Sequence, residues 1–92
     1  MSQMIELRAC FFGNVQGVGL RSYVKIVAAE LRLKGYVKNM ASGSVELCAV
    51  GEKQLLEELL KKILNRYKTN IEQLEKSFCK SVRDFSTFEI RY

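Results

Sequence analysis

The apolar residues of this chain change from a period of two to a helical period, and back, twice within 92 residues. Alternation predicts a half-buried strand, and apolar residues three and four positions apart predict an amphipathic helix. A chain this short has room for one hydrophobic core, so all of these elements have to pack together. Strands are predicted over residues 5–12, 35–39, 44–50 and 87–92, with a weaker one over 71–79, and helices over 20–32 and 52–67.

The resulting order is β-α-β-β-α-β, with the last β segment divided in two. This order predicts an α+β fold of the ferredoxin-like, split βαβ type, in which two helices pack on one face of an antiparallel sheet. A polar connection is predicted over 80–84, and no repeat or linker interrupts the pattern. We therefore expect one domain over residues 1–92. The fold alone does not decide the function, because this architecture serves many.

The composition excludes several kinds of chemistry. Histidine is absent, which rules out Ser-His and Cys-His catalytic pairs and His-ligated metals. Cys10, Cys48 and Cys79 form no CxxC pair, and each lies in an apolar, strand-like stretch where a free thiol usually packs. We expect no metal site and, since no secretory signal is visible over residues 1–6, a reducing compartment, the cytoplasm. No apolar run approaches the roughly 20 residues of a membrane helix, so no membrane partner is expected.

The charge balance favours an anionic partner. Lysine and arginine number 15 against 10 acidic residues, for a net charge of +5. An excess of this size attracts anions through its long-range field. It does not distinguish a nucleic acid from a small phosphorylated molecule, and a basic protein without an anionic partner is equally compatible with it.

The segment between the first strand and the first helix has the composition of an anion-binding loop. Three glycines within residues 13–19 allow positive φ angles, which turn backbone N–H groups toward one point. The N-terminus of the following helix adds unsatisfied donors and the positive end of a dipole. Arg21 lies in the first turn of that helix, where its guanidinium could hold two phosphate oxygens. The glycines alone are also compatible with an ordinary turn followed by an exposed arginine.

Two common phosphate loops do not fit this segment. A Walker A loop starting at Gly13 would need glycine at Val18, followed by lysine. A dinucleotide fingerprint starting at Gly17 would place Ser22 at its third small position and would require a parallel sheet. Neither requirement is met.

Two motifs resemble the signatures of the acylphosphatase family. The first signature, approximately Gly-x-Val-Gln-Gly-Val-x-Phe-Arg, is matched at Gly13, Val15, Gln16, Gly17, Val18 and Arg21. The second, Gly-aromatic-Val-x-Asn followed by Gly-x-Val and a further Gly, is matched at Gly35, Tyr36, Val37, Asn39, Gly43, Val45 and Gly51. Residues 88–92 also resemble the closing strand of the family, so the resemblance covers essentially the whole chain.

The resemblance implies metal-independent hydrolysis of a small acyl phosphate, with no cofactor. We also expect a monomer, because nothing in the sequence requires more than one chain, and no nucleic-acid partner. The resemblance implies that Arg21 and Asn39 are catalytic. Arg21 would hold the phosphoryl group and Asn39 would orient the attacking water. The implied substrate-binding residues are Asn14, Val15, Gln16, Gly17, Val18 and Arg21.

Two positions depart from the family pattern. Leu20 stands where phenylalanine is usual, which changes the volume of a core side chain. Asn14 stands where the family often has a basic residue, which removes a positive charge near the site. We expect the second departure to affect the affinity for substrate and not the type of reaction.

Two alternative functions are compatible with the fold. RNA-recognition domains share the β-α-β-β-α-β order, and residues 34–37 are similar to the start of their RNP1 motif. That motif belongs on the third strand, whereas the third strand here has no aromatic residue on which a base could stack. The second alternative is a domain that binds an anion in the same loop without turnover. We also predict that Tyr92 anchors the last strand and that Lys61, Lys62 and Arg66 form a solvated helix end.

Overall fold

A computed structural model describes residues 4–81 and 84–92. Five strands form one sheet, on which two helices pack, and the predicted ferredoxin-like fold is confirmed. The strands are β1 (Ile5–Gly13), β2 (Lys34–Asn39), β3 (Val45–Gly51), β4 (Ile71–Lys80) and β5 (Phe88–Arg91), and the helices are α1 (Leu20–Glu30) and α2 (Lys53–Arg66). Residues 82 and 83 of the predicted polar connection lie outside the described residues. Neither described helix is long and apolar enough to span a membrane.

The order of the strands brings the C-terminal ends of two strands to the same end of the sheet. The order is β4-β1-β3-β2-β5. The first three neighbouring pairs are antiparallel, as predicted, and the pair β2–β5 is parallel because β5 reverses the direction of β4. β1 and β2 are both antiparallel to the β3 between them, so they run in the same direction. Gly13 and Asn39, the last residues of these two strands, therefore lie at the same end of the sheet, where α1 also begins.

The core lies between the sheet and the two helices. The inward residues of β1 behave as their alternation predicts, with Leu7 and Phe11 fully buried. The apolar stripe of the amphipathic helix α2 is also buried, and it comprises Leu56, Leu59, Leu60 and Ile63. Burial of an aliphatic side chain of this size contributes about 1.5–3 kcal/mol to the stability of the fold. This layer therefore holds the ends of β1 and β2 in place.

The outer face of the sheet carries polar side chains and thiols. Glu6 is buried, and it accepts a 2.7 Å hydrogen bond from Arg8 Nε. This hydrogen bond raises the pKa of the Arg8 guanidinium above its ordinary value. Cys48 is buried and Cys10 is partly buried, but Cys79 is exposed on the edge strand β4. The predicted apolar setting is therefore wrong for Cys79, because β4 has only one neighbouring strand and little cover.

Helix α1 ends in a Schellman motif that has an arginine at the position where glycine is usual. Leu33 N–H donates to the carbonyl of Ala28 over 2.8 Å, and Arg32 N–H donates to that of Ala29 over 3.1 Å. Arg32 has a φ of +58°, a left-handed conformation that glycine adopts without strain. An L side chain costs about 1 kcal/mol or more there. The helix stops before the predicted residue 32 because this turn reverses the chain.

Gly13 is the point at which β1 gives way to the glycine-rich loop. The pairing with β4 shifts register between Phe12 and Gly13, and Gly13 has a φ of +124°. A Cβ atom at this position would overlap the backbone of Asn70 and Glu72. Both the conformation and the close approach of two backbones therefore require glycine.

We predict that Gly13→Ala lowers the free energy of unfolding by about 3 kcal/mol, because it combines backbone strain with a backbone clash. Urea unfolding monitored by circular dichroism measures this change. Gly43→Ala is the matched control: Gly43 also has a positive φ, of +96°, but a Cβ there meets nothing within 4 Å. We expect it to cost only about 1 kcal/mol, and equal losses in the two variants would contradict the predicted clash.

Candidate active site

A small cavity lies at the end of the sheet where β1 and β2 end and α1 begins. Its volume is about 80 Å³, and its lining residues are Val15, Gly17, Gly19, Leu20, Arg21, Ser22 and Asn39. A water molecule occupies about 30 Å³ of liquid, so a cavity of this size holds a group with only a few heavy atoms. Two segments that are distant in sequence, the glycine-rich loop and the end of β2, thus form one site.

The backbone amides of residues 15–22 are available to a ligand. In the part of the chain that the structure describes, none of them donates a hydrogen bond to another backbone group. Gly17, which lines the cavity, has a φ of +76°, a conformation that allows successive backbone N–H groups to converge on one ligand. Gly19, the N-cap of α1, supplies no side-chain cap, so the first-turn amides of the helix remain free as well. Unpaired donors at a helix N-terminus bind oxyanions.

The side chain of Gln16 holds the loop against the connection between β2 and β3. Its Nε2 donates to the carbonyl of Met40 over 2.8 Å and to that of Ser44 over 2.9 Å. Met40 and Ser44 close the turn that directly follows Asn39. Gln16 therefore fixes the distance between the loop and the end of β2.

Other contacts fix the far side of the loop. Asn14 N–H donates to the carbonyl of Asn70 over 3.0 Å, and the side chain of Asn70 returns a 3.2 Å hydrogen bond to the carbonyl of Asn14. The hydroxyl of Tyr67 donates to the carbonyl of Val18 over 3.3 Å. The loop is thereby anchored to the segment that follows α2.

Arg21 is the cation of the cavity. Its side chain is half-buried, and none of the lining residues is acidic. The guanidinium carbon lies 4.9 Å from the centroid of the Tyr92 ring, within the range of a cation–π interaction. Tyr92 itself is 97% exposed, so the prediction that it anchors the last strand is wrong. β5 ends at Arg91, and the ring of Tyr92 lies against Arg21 instead.

Asn39 brings an unsatisfied amide into the same cavity. It is the last residue of β2, and its backbone pairs with Val45 of β3. Its Oδ1 atom is buried and accepts no hydrogen bond from the described residues. Leaving a buried acceptor unpaired costs about 1–3 kcal/mol, so a strong donor such as water gains by binding there.

The predicted site residues fall into two groups. Val15, Gly17, Arg21 and Asn39 line the cavity. Asn14, Gln16 and Val18 shape the loop through the contacts described above, and none of the three lines the cavity. The N–H of Asn14 is donated to Asn70 and is not free for a ligand. Gly19, which belongs to the predicted anion-binding loop, lines the cavity, and so do Leu20 and Ser22, to which the sequence motifs gave no site role. The place of Leu20 and Ser22 in the first turn of α1 is the signal that could have identified them.

A larger concave surface, of about 820 Å³, runs along α2. One helix supplies its whole lining, which consists of Gln54, Glu57, Glu58, Lys61, Lys62 and Asn65. The glutamates and lysines stand four positions apart, an arrangement that stabilises a solvated helix face. This surface agrees with the predicted solvated end of α2 and has no converging groups from a second element.

The fold and this cavity define a small α+β domain with an oxyanion-binding loop. The profile of the family described as Acylphosphatase matches residues 7–90. An acylphosphatase of Petrotoga mobilis is 36% identical over 97% of this chain and 100% of its own length. One of Archaeoglobus fulgidus is 51% identical over 57 residues, which are 62% of this chain and 64% of that protein. The crystal structure of the Bacillus subtilis acylphosphatase superposes with a TM-score of 0.87 at 28% identity, covering 96% of this chain and 99% of that one.

The chain therefore belongs to the acylphosphatase family. The family resemblance drawn from the two sequence motifs is confirmed, and with it the assignment of the chain to the acylphosphatase enzymes, which are hydrolases.

We predict that Gln16→Leu raises the inhibition constant of inorganic phosphate about tenfold and lowers the free energy of unfolding by about 1–2 kcal/mol, because both hydrogen bonds from its side chain are lost. Inhibition kinetics and urea unfolding measure the two effects. Gln73→Leu, at an exposed position of β4, makes the same chemical change away from the site. A Gln16→Leu variant that binds phosphate as tightly as Gln73→Leu would remove Gln16 from the positioning of the loop.

Proposed function

We propose that Arg21 and the amides of the loop bind the phosphoryl group of an acyl phosphate, and that Asn39 aims water at its phosphorus. One observation supports this assignment above the others. The cavity brings a guanidinium, a run of unpaired amides and an unsatisfied carboxamide together within about 80 Å³. That volume suits a phosphoryl group and a water molecule, while the acyl part of the substrate would extend into solvent.

The reaction demands little beyond this arrangement. Attack by water forms a new P–O bond and breaks the bond between phosphorus and the bridging oxygen, which releases a carboxylate. A carboxylate leaves without being protonated, so no general acid is required. What remains is to position the reactants and to stabilise charge on the phosphoryl oxygens. Arg21 and the free amides of the loop supply that stabilisation in this proposal, which is supported by the position of Val15, Gly17 and Arg21 in the lining of one cavity.

Asn39 has a different role from Arg21. Its amide carries both an acceptor and donors, and it is too weak a base to remove a proton. The buried Oδ1 accepts a hydrogen bond from the water and so sets the direction of attack. The proton of the water then passes to a phosphoryl oxygen of the substrate, and the scheme requires neither a metal nor a cofactor.

The two alternative functions have less support. On the third strand, the outward residues Glu46, Cys48 and Val50 offer no aromatic ring on which a base could stack. A domain that only binds anions would have no use for the unsatisfied Oδ1 of Asn39 beside the loop. Hydrolysis of a small acyl phosphate accounts for both the amides and the carboxamide.

We further propose that the protein acts as a monomer in the cytoplasm on a small-molecule substrate. All the groups of the proposed site come from one chain. Cys10, Cys48 and Cys79 form no disulfide among the described residues, which is typical of a reducing compartment.

We predict that the protein hydrolyses benzoyl phosphate at the same rate with and without EDTA, and that Arg21→Gln lowers kcat/KM by about a thousandfold or more, because the charge and the donors that hold the phosphoryl group are lost. Initial rates followed by ultraviolet absorbance measure both effects. Inorganic phosphate should also inhibit the variant far less than the parent.

Two variants control this experiment. Arg21→Lys keeps the charge but loses the planar fork of donors, so its activity should fall between those of the parent and Arg21→Gln. Lys62→Gln, on the exposed face of α2, removes one charge elsewhere and should leave the rate unchanged. Activity of Arg21→Gln equal to that of Lys62→Gln would exclude Arg21 as the phosphoryl-binding residue.

We predict that Asn39→Ala lowers kcat by about a hundredfold and changes KM by less than about threefold, because the water loses its orienting partner while the phosphoryl group keeps its own. Steady-state kinetics with benzoyl phosphate separate the two parameters. Asn65→Ala, at an exposed position of α2, serves as the matched control. If Asn39→Ala instead raised KM at an unchanged kcat, Asn39 would be a substrate-binding residue and the proposed role would be wrong.

A further inference from the structure

A second cavity lies at the opposite end of α1 from the proposed active site. Its volume is about 330 Å³, and its lining residues are Lys25, Ala29, Arg32, Leu33, Lys34, Ser86, Thr87 and Phe88. α1, with 11 residues at 1.5 Å per residue, is about 16 Å long; the two cavities share no lining residue, and their nearest lining residues of α1, Ser22 and Lys25, stand about one helical turn apart. The second cavity is about four times as large as the first cavity, within the range of pockets that hold small organic molecules.

The electrostatics of this cavity favour an anion. Lys25, Arg32 and Lys34 line it, and none of its lining residues is acidic. In the described part of the chain, the ion pairs do not include any of these three cations. Asp84 lines a neighbouring cavity, which shares Arg32 and Lys34 with this one, and no ion pair joins it to either cation among the described residues. Unpaired cations around a concave surface raise the local concentration of anions.

The backbone of Arg32 is a second, independent observation. Arg32 is the C′ residue of the Schellman motif that ends α1, with a φ of +58°. Among the described residues, it is the only one other than glycine with a positive φ. Glycine would form the same turn without strain. A strained residue at such a position points to a use for its side chain, and Arg32 lines this cavity as well as the neighbouring one.

We propose that this second cavity binds a small organic molecule that carries two or more phosphate groups. Two phosphate groups carry about three to four negative charges near neutral pH, which matches three cations. The guanidinium of Arg32 can hold two oxygens of one group, the lysines can neutralise the other, and the hydroxyls of Ser86 and Thr87 can donate to either. The volume leaves room for an organic part beside Leu33 and Phe88.

Inorganic pyrophosphate is the probe for this proposal, and the Arg21→Gln variant is the protein, since it lacks the cation of the first site. We expect saturable binding with a dissociation constant of about 1 mM or lower by calorimetry. In ¹H–¹⁵N NMR spectra, the amides of residues 31–34 and 86–88 should shift along the same titration curve. Shifts confined to residues 15–22, or no saturable binding, would overturn the proposal.

Arg32→Gly separates binding from stability. It removes the guanidinium and also relieves the strained φ, so the midpoint of urea unfolding should equal or exceed that of the parent. Pyrophosphate binding at residues 31–34 and 86–88 should weaken at least tenfold, while hydrolysis of benzoyl phosphate stays unchanged. Lys62→Gln, with the same loss of charge on α2, should bind pyrophosphate as the parent does. Equal affinity in Arg32→Gly and Lys62→Gln would show that only net charge attracts the probe.

Discussion

The candidate site depends on the two hydrogen bonds from the side chain of Gln16 to the carbonyls of Met40 and Ser44. They join a loop that follows β1 to a turn that follows β2, across the width of the intervening strand β3. The core holds the strands and the buried side chain of Val15 in place, but none of the amides of residues 15–22 donates to another backbone group among the described residues, so the rest of the loop depends on side-chain hydrogen bonds. The side-chain amide of Gln16 thus holds the loop beside the end of β2, so that Arg21 and Asn39 line one cavity.

The same region holds polar groups that the folded chain does not satisfy. The amides of the loop donate to no other backbone group among the described residues, and the buried Oδ1 of Asn39 accepts no hydrogen bond from them. The unpaired buried acceptor lowers the stability of the ligand-free protein, whereas exposed positions such as Gly17 and Gly19 are open to solvent. A water molecule at Asn39 offsets that cost and an oxyanion can bind the free amides, so binding free energy is concentrated on the groups that the proposed reaction uses. The layer of buried residues in α2 and the sheet offsets the local loss.

Helix α1 connects the two cationic regions of the molecule. Arg21 stands in its first turn, where the dipole and free amides favour anions, and Arg32 follows its last turn. The cavity at each end is lined by cations from α1 or its flanks and lacks an acidic lining residue. The chain has a net charge of +5, and the cations that line these two cavities form no ion pair among the described residues.

Local patterns in the sequence determined the strands, the helices, the glycine-rich loop and the family, because alternation, helical spacing and glycine conformations act over a few residues. They also brought Arg21 and Asn39 forward as candidates. Only the tertiary structure decided that these two residues meet, that Gln16 ties the loop to residues 40–44, that Tyr92 lies over Arg21 and that Cys79 is exposed. Each of these facts depends on which strands are neighbours and in which direction they run. The packing of the strands sets contacts between residues that are 24 or more positions apart, and the local spacing of residue types in the sequence does not determine that packing.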